Sequence, residues 1–162
     1  MANRILISKE DGFDIEKSDE FFSKIEDYVH KVMEKLSIDG EEVSILFCRD
    51  PFIQELNKNF RDIDSPTDVL SFENGDEYED EEGKWLASGD IVISLETLPK
   101  NAEYFEVSQN TELKRLLIHG LLHLNGYDHG EEHIEKGKEP ECEMLSLQEK
   151  VLKEFADTVL IN

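Results

Sequence analysis

Cysteine is scarce in this sequence. Cys48 and Cys142 stand alone, and neither forms a Cys-x-x-Cys pair. That excludes a paired-thiol redox or metal motif and leaves reduced thiols in the core or on the surface. Long apolar runs are lacking too. No stretch approaches the ~20 apolar residues of a membrane span. Residues 1–12 lack the apolar run of a secretory signal. The expected setting is the cytoplasm, away from membranes, where a disulfide is not expected. Positive charge is in short supply: 17 Lys and Arg stand against 39 Asp and Glu, for a net charge of −22. Such a balance argues against general nucleic-acid affinity, although a local basic patch remains open. Neither an internal repeat nor a linker interrupts the chain. Its 162 residues fit a single domain, 1–162, with a sizeable core.

What is present is a readable succession of elements. Ile5, Leu6 and Ile7 predict a first strand over 4–9. Ser18 is a plausible N-cap, and Phe22, Ile25, Val29, Val32 and Leu36 follow at helical spacing, with Gly40 closing the element. Val43, Ile45 and Phe47 alternate as in a half-buried strand. Asp50-Pro51 opens a second helix, which ends near Arg61 at the turn residues 62–66. Strands are predicted over 68–72 and 89–95. The acidic run 76–82 reads as a solvated loop, making the pair a hairpin with a long connection. A short helix over 98–105 and a helix opened by Pro140, with Met144, Gln148, Val151, Phe155 and Val159 on one face, complete the chain. The fold class this predicts is α+β: a small mixed sheet of about four strands covered by helices.

One further helix carries the chemistry. Apolar residues fill most positions from Leu116 to Leu124, Thr111, Glu112 and Lys114 supply a polar start, and Ser108 or Asn110 can cap it. His119 and His123 are four apart, which stacks them on one helical face. Gly126 then ends the helix and lets the chain bend, so that His129 can return toward the first two. Two neutral imidazoles buried together need partners, and a metal ion is the simplest one. Three imidazoles suit one Zn²⁺ per chain, bound at about 2.0–2.1 Å with the fourth position left to water. Such a water can lose its proton near pH 7, so the broad class is hydrolase. The metalloprotease helix carries Glu directly after its first His, as general base. Here Gly120 holds that position, which lets another backbone or a substrate approach the helix.

Three blocks then match a family. His119-Gly120-Leu121-Leu122-His123-Leu124-Asn125-Gly126-Tyr127-Asp128-His129 resembles the signature of the YbeY family of bacterial metal-dependent endoribonucleases. Leu56-Asn57-Lys58-Asn59-Phe60-Arg61 followed by Pro66-Thr67-Asp68-Val69-Leu70-Ser71-Phe72 is similar to a second block, and Gly89-Asp90-Ile91-Val92-Ile93-Ser94 to a third. The resemblance spans about residues 45–155. It implies a single-strand-specific RNA endonuclease acting in 3′-end maturation of small-subunit ribosomal RNA and in ribosome quality control. The implied partners are that RNA and the small ribosomal subunit with its proteins. It also implies zinc held by His119, His123 and His129, and a functional arginine at Arg61. Two stretches depart from the pattern: the acidic loop, and Glu106-Val107-Ser108 where the family often has Gly-His-Ser.

Residue chemistry allows Arg61 two roles. A guanidinium can clamp two phosphate oxygens of a phosphorane, or it can simply sit at a helix C-terminus. The resemblance selects the first, so Arg61 and His119 are the expected catalytic residues. Asp128 either orients a ligating imidazole or is a turn residue. His133 is not needed as a ligand at an open site, and His30 is expected at the surface. Lys58, Arg61, Lys114 and Arg115 are candidates for a positive rim that would offset the acidic surface. Two other functions fit the same histidines: a zinc-dependent peptide or amide hydrolase, and a non-catalytic ribosome-associated zinc protein.

Overall fold

The computed structural model describes residues 2–130, 133–135 and 137–161. Strands β1 (Arg4–Lys9), β2 (Glu41–Cys48), β3 (Val69–Asp80) and β4 (Gly83–Ser94) form one sheet in the order β1-β2-β4-β3. β1 pairs parallel with β2, and β2 parallel with β4, while β3 runs antiparallel to β4. The helices are α1 (Ser18–Lys35), α2 (Asp50–Arg61), α3 (Thr97–Phe105), α4 (Gln109–Leu124) and α5 (Glu143–Glu154). This is the mixed α+β class expected from the sequence.

Alternation along the strands sorts side chains onto two faces. Val43, Ile45 and Phe47 of β2 and Ile91 and Ile93 of β4 are fully buried in one cluster with α1 and α4. The opposite face buries Cys48, Leu70 and Val92 against Ile53 of α2. α4 is the central helix. Leu113, Leu117, Ile118 and Leu121 have no exposed surface, and Leu116 and Leu122 are buried as well. A helix apolar nearly all round is one packed on several sides, and α4 is covered by the sheet, α1, α3 and α5.

Three expectations need correction. The acidic run is not a loop. Asp76–Asp80 forms the outer half of β3, paired with Ala87–Gly83, and only Glu81 and Glu82 turn the chain. Aromatic pairing and a cation make this possible. Tyr78 lies opposite Trp85, and the Arg4 guanidinium sits 3.9 Å over Trp85 while pairing with Asp80 at 2.6 Å and Glu82 at 2.9 Å. Val159 lies beyond α5, which ends at Glu154, and it is exposed. The N-cap of α1 is Lys17 rather than Ser18. Neither Cys48 nor Cys142 is in a disulfide. Among the described residues no helix is long and apolar enough to cross a membrane.

Candidate metal centre

α4 starts at Ser108, whose hydroxyl oxygen accepts the Thr111 N–H at 3.0 Å, so Ser108 rather than Asn110 is the cap. The helix is pressed onto β4 at Gly120. A Cβ there would stand 2.8 Å from Ile91 Cδ1, inside contact distance. The opening that Gly120 provides is therefore filled by the sheet and does not admit substrate. This close packing fixes the height of His119 and His123 above the strands.

Gly126, at φ +88°, reverses the chain, and the Tyr127 N–H returns to the Leu122 carbonyl at 3.0 Å. The turn carries His129 back over the helix. The ring centroids of His119 and His123 are 4.5 Å apart, and each is 5.3 Å from that of His129. One ring nitrogen from each of the three falls within 4.8 Å of the others. The structure thus brings together the three histidines that the sequence singled out.

Hydrogen bonds decide which nitrogens are available. His123 Nδ1 lies 3.1 Å from the Tyr127 carbonyl oxygen, which can only accept, so Nδ1 carries the proton. His119 Nδ1 lies 2.7 Å from Gln148 Oε1. With both Nδ1 atoms donating, both Nε2 atoms present bare lone pairs, and they face each other at 3.1 Å. Two lone pairs in that arrangement repel unless a cation lies between them. Tetrahedral zinc with Zn–N of about 2.0–2.1 Å separates two ligand nitrogens by roughly 3.3–3.4 Å, close to the spacing found. Burial lowers the His119 pKa to about 4. Burial, then neighbouring His129, lowers that of His123. Both rings are neutral at neutral pH, the form that ligates a metal.

A cleft of about 340 Å³ opens beside the imidazoles, lined by Arg61, Asp68, Phe105, Glu112 and Arg115 together with His119 and His129. Arg61 ends α2, and the loop that follows is fastened back onto the helix. The buried Asn57 side chain donates to the Ser65 carbonyl at 3.0 Å, and Gln54 donates to Asp64 Oδ1 at 3.0 Å. Arg61 is close enough to the histidines that its charge disfavours protonation of His119 and His123.

The other candidates are dispersed. The Asp128 carboxylate accepts the Gly130 N–H at 3.1 Å, a turn contact. The Nδ1 partners of His119 and His123 are instead Gln148 and the Tyr127 carbonyl. His133 lines the cleft, its ring 5.5 Å from His129, but does not join the three-nitrogen group. His30 lies on α1 within 3.8 Å of Glu26, away from the cleft. The positive rim does not assemble. Lys114 is buried beneath the surface, and its Nζ donates to the carbonyls of Phe155, Ala156 and Thr158 at 2.7, 3.2 and 2.9 Å. Lys58 is exposed and outside the cleft lining. Arg115 faces the cleft but is engaged with Glu112 at 2.5 Å and Glu149 at 3.1 Å. The sequence reading placed Gln148 only among packing positions of the last helix. One polar residue in an otherwise apolar stripe was the signal.

A family model described as Endoribonuclease YbeY matches residues 6–156. The chain belongs to the endoribonuclease YbeY family. It is 53% identical over 133 residues to an endoribonuclease YbeY of Treponema denticola, covering 82% of each chain. It is 40% identical over 156 residues to that of Persephonella marina, covering 93% of this chain and 92% of the relative. The solution structure of a Thermotoga maritima protein, 30% identical, superposes with a TM-score of 0.56 over 94% of this chain and 90% of its own. Membership of YbeY supports an endoribonuclease activity, with RNA as the substrate class. In this YbeY chain the three histidines form a group able to hold a metal ion.

Proposed function

We propose that this YbeY protein is a single-domain, zinc-dependent endoribonuclease cutting single-stranded RNA, acting in the cytoplasm on the 3′ end of small-subunit ribosomal RNA and in ribosome quality control. The observation that carries the metal-dependent reading is the pair of bare Nε2 atoms 3.1 Å apart, with His129 closing the triangle. In this reading His119, His123 and His129 hold one zinc ion per chain. A zinc ion there supplies Lewis acidity at the phosphodiester and makes water a usable nucleophile near neutral pH.

The chain's own residues do the rest. Arg61 binds phosphate oxygens across the cleft and offsets the negative charge that grows as the phosphodiester reacts. Among the described residues no carboxylate pairs with it, whereas Arg115 is neutralised by two. His119 serves the reaction as a ligand whose orientation is fixed. Phe105 forms an apolar wall beside the imidazoles, which supports an unpaired strand with its bases turned outward from a helix. The preference for ribosomal RNA and the association with small-subunit proteins rest on the family resemblance.

The test is cleavage of a single-stranded RNA by purified protein, with and without a chelator, beside the His123→Ala variant. Cutting is expected to need the metal and to vanish in the variant. Equal cutting by the variant would sink the reading, and metal-dependent turnover of peptides with RNA untouched would replace it with amide hydrolysis.

A further inference from the structure

The amide of Gln148 has two ends, and the structure dictates which one meets His119. Gln148 is 1% exposed, on the face of α5 that packs against α4. One end of its amide stands 2.7 Å from His119 Nδ1, and the other 3.0 Å from Glu149 Oε2. A carboxylate oxygen only accepts, so the end toward Glu149 must be the NH₂ group. The end toward His119 is then the carbonyl oxygen, which also only accepts. His119 is left to donate from Nδ1, and its lone pair is placed on Nε2.

Glu149 cannot turn away, because Arg115 grips it with two hydrogen bonds. Arg115 Nε donates to Oε2 and Nη2 to Oε1, each at 3.1 Å. Its remaining nitrogen, Nη1, donates to Glu112 Oε1 at 2.5 Å. Glu112 is itself buried and one helical turn away on α4. Every donor in the series Glu112–Arg115–Glu149–Gln148–His119 meets an acceptor, and reversing any one link sets like against like.

We infer that Arg115 and Glu149 are positioning residues that lock the Gln148 amide, and through it hold His119 in the tautomer that offers Nε2 to a metal. This gives Arg115 a role other than RNA binding, although it lines the cleft. It also accounts for a fully paired charge cluster beside a site meant for a polyanion. The inference rests on the metal-binding reading only for its consequence. The tautomer itself is a property of the metal-free protein.

The test has two readouts. The first is the tautomer of His119 in metal-free protein at pH 7.5, from long-range ¹H–¹⁵N spectra of the imidazole. The second is the zinc dissociation constant from competition with a chromophoric chelator. The intact protein is expected to show the form protonated at Nδ1. Gln148→Met is expected to give mixed tautomers and zinc binding weaker by about 10- to 100-fold. Glu149→Gln is expected to loosen the tautomer as well, with a smaller loss of affinity. An unchanged His119 tautomer in both single variants would overturn the inference. Failure of the intact protein to bind zinc would instead overturn the metal reading, with the tautomer comparison still deciding the inference.

Discussion

Histidine 119 is held neutral by burial, and this has a direct consequence for the metal-free protein. Its folded pKa, about 4, lies below the unfolded value of about 6.5. The folded state therefore binds the proton less readily. The contribution to stability is fully present above pH 6.5 and is lost as pH falls through 4. Over that window the loss amounts to about 3 kcal/mol. Urea titrations of chelated protein at pH 7.5, 5.5 and 4 would show it as a falling midpoint, and His119→Gln would flatten the dependence. Arg61 makes a separate prediction. Arg61→Ala is expected to slow RNA cleavage on the order of 100- to 1000-fold while leaving zinc content unchanged, as read by single-turnover rates beside elemental analysis. Single residues of this kind were visible in the sequence where spacing alone encodes contact. His119 and His123 sit four apart on one helix, and Gly126 marks the turn that returns His129. Gln148 stood out as one polar residue in an apolar stripe, but its partner could not be read, because the contact with His119 exists only once α5 docks on α4, 29 residues further on.

α4 and the β3–β4 hairpin show what periodicity reveals and what it hides. The apolar run of α4 announced a buried helix, and Gly120 marked a close approach by another backbone or a substrate, but no sequence pattern says that Ile91 of β4 lies beneath. Gly120→Ala makes the packing measurable. An added methyl improves helix propensity by up to about 1 kcal/mol, but it collides with Ile91, and overpacking costs about 1–3 kcal/mol. A net loss of stability is expected by urea melting, and Ile91→Val in the same background should recover part of it. The antiparallel hairpin itself was expected, but its acidic connection was misread as a loop for an electrostatic reason. Glu77, Glu79, Asp80 and Glu82 look like a solvated tract, but every second residue of a strand faces the same way. Tyr78, Trp85 and Arg4 supply the apolar and cationic contacts on one side. The charge count was legible, whereas the distant partner Arg4, 76 positions before Asp80, was not.

For the molecule as a whole, the net charge of −22 has to be reconciled with RNA as substrate. Arg61 and the metal would carry most of the attraction, since Lys114 is internal and Arg115 is neutralised. The salt dependence of single-stranded RNA binding should then be shallow. One or two phosphate contacts correspond to a slope of log K against log salt of about −0.7 to −1.4. Fluorescence anisotropy between 50 and 200 mM salt checks this, and a slope steeper than about −3 would mean that further cations reach the strand. Zinc should stabilise the folded chain by about 2.7 kcal/mol at a hundredfold excess over its dissociation constant, seen as a higher melting temperature. Lys114 joins these scales. Its ammonium collects three oxygens from the segment after α5 and holds that segment against the helix bearing His119. The tail is thus a buckle on the histidine helix. A protease nick between residues 155 and 158 would strand a charge in the protein's oily interior five positions before the first imidazole, so damage at the far end of the chain would reach the centre of the enzyme.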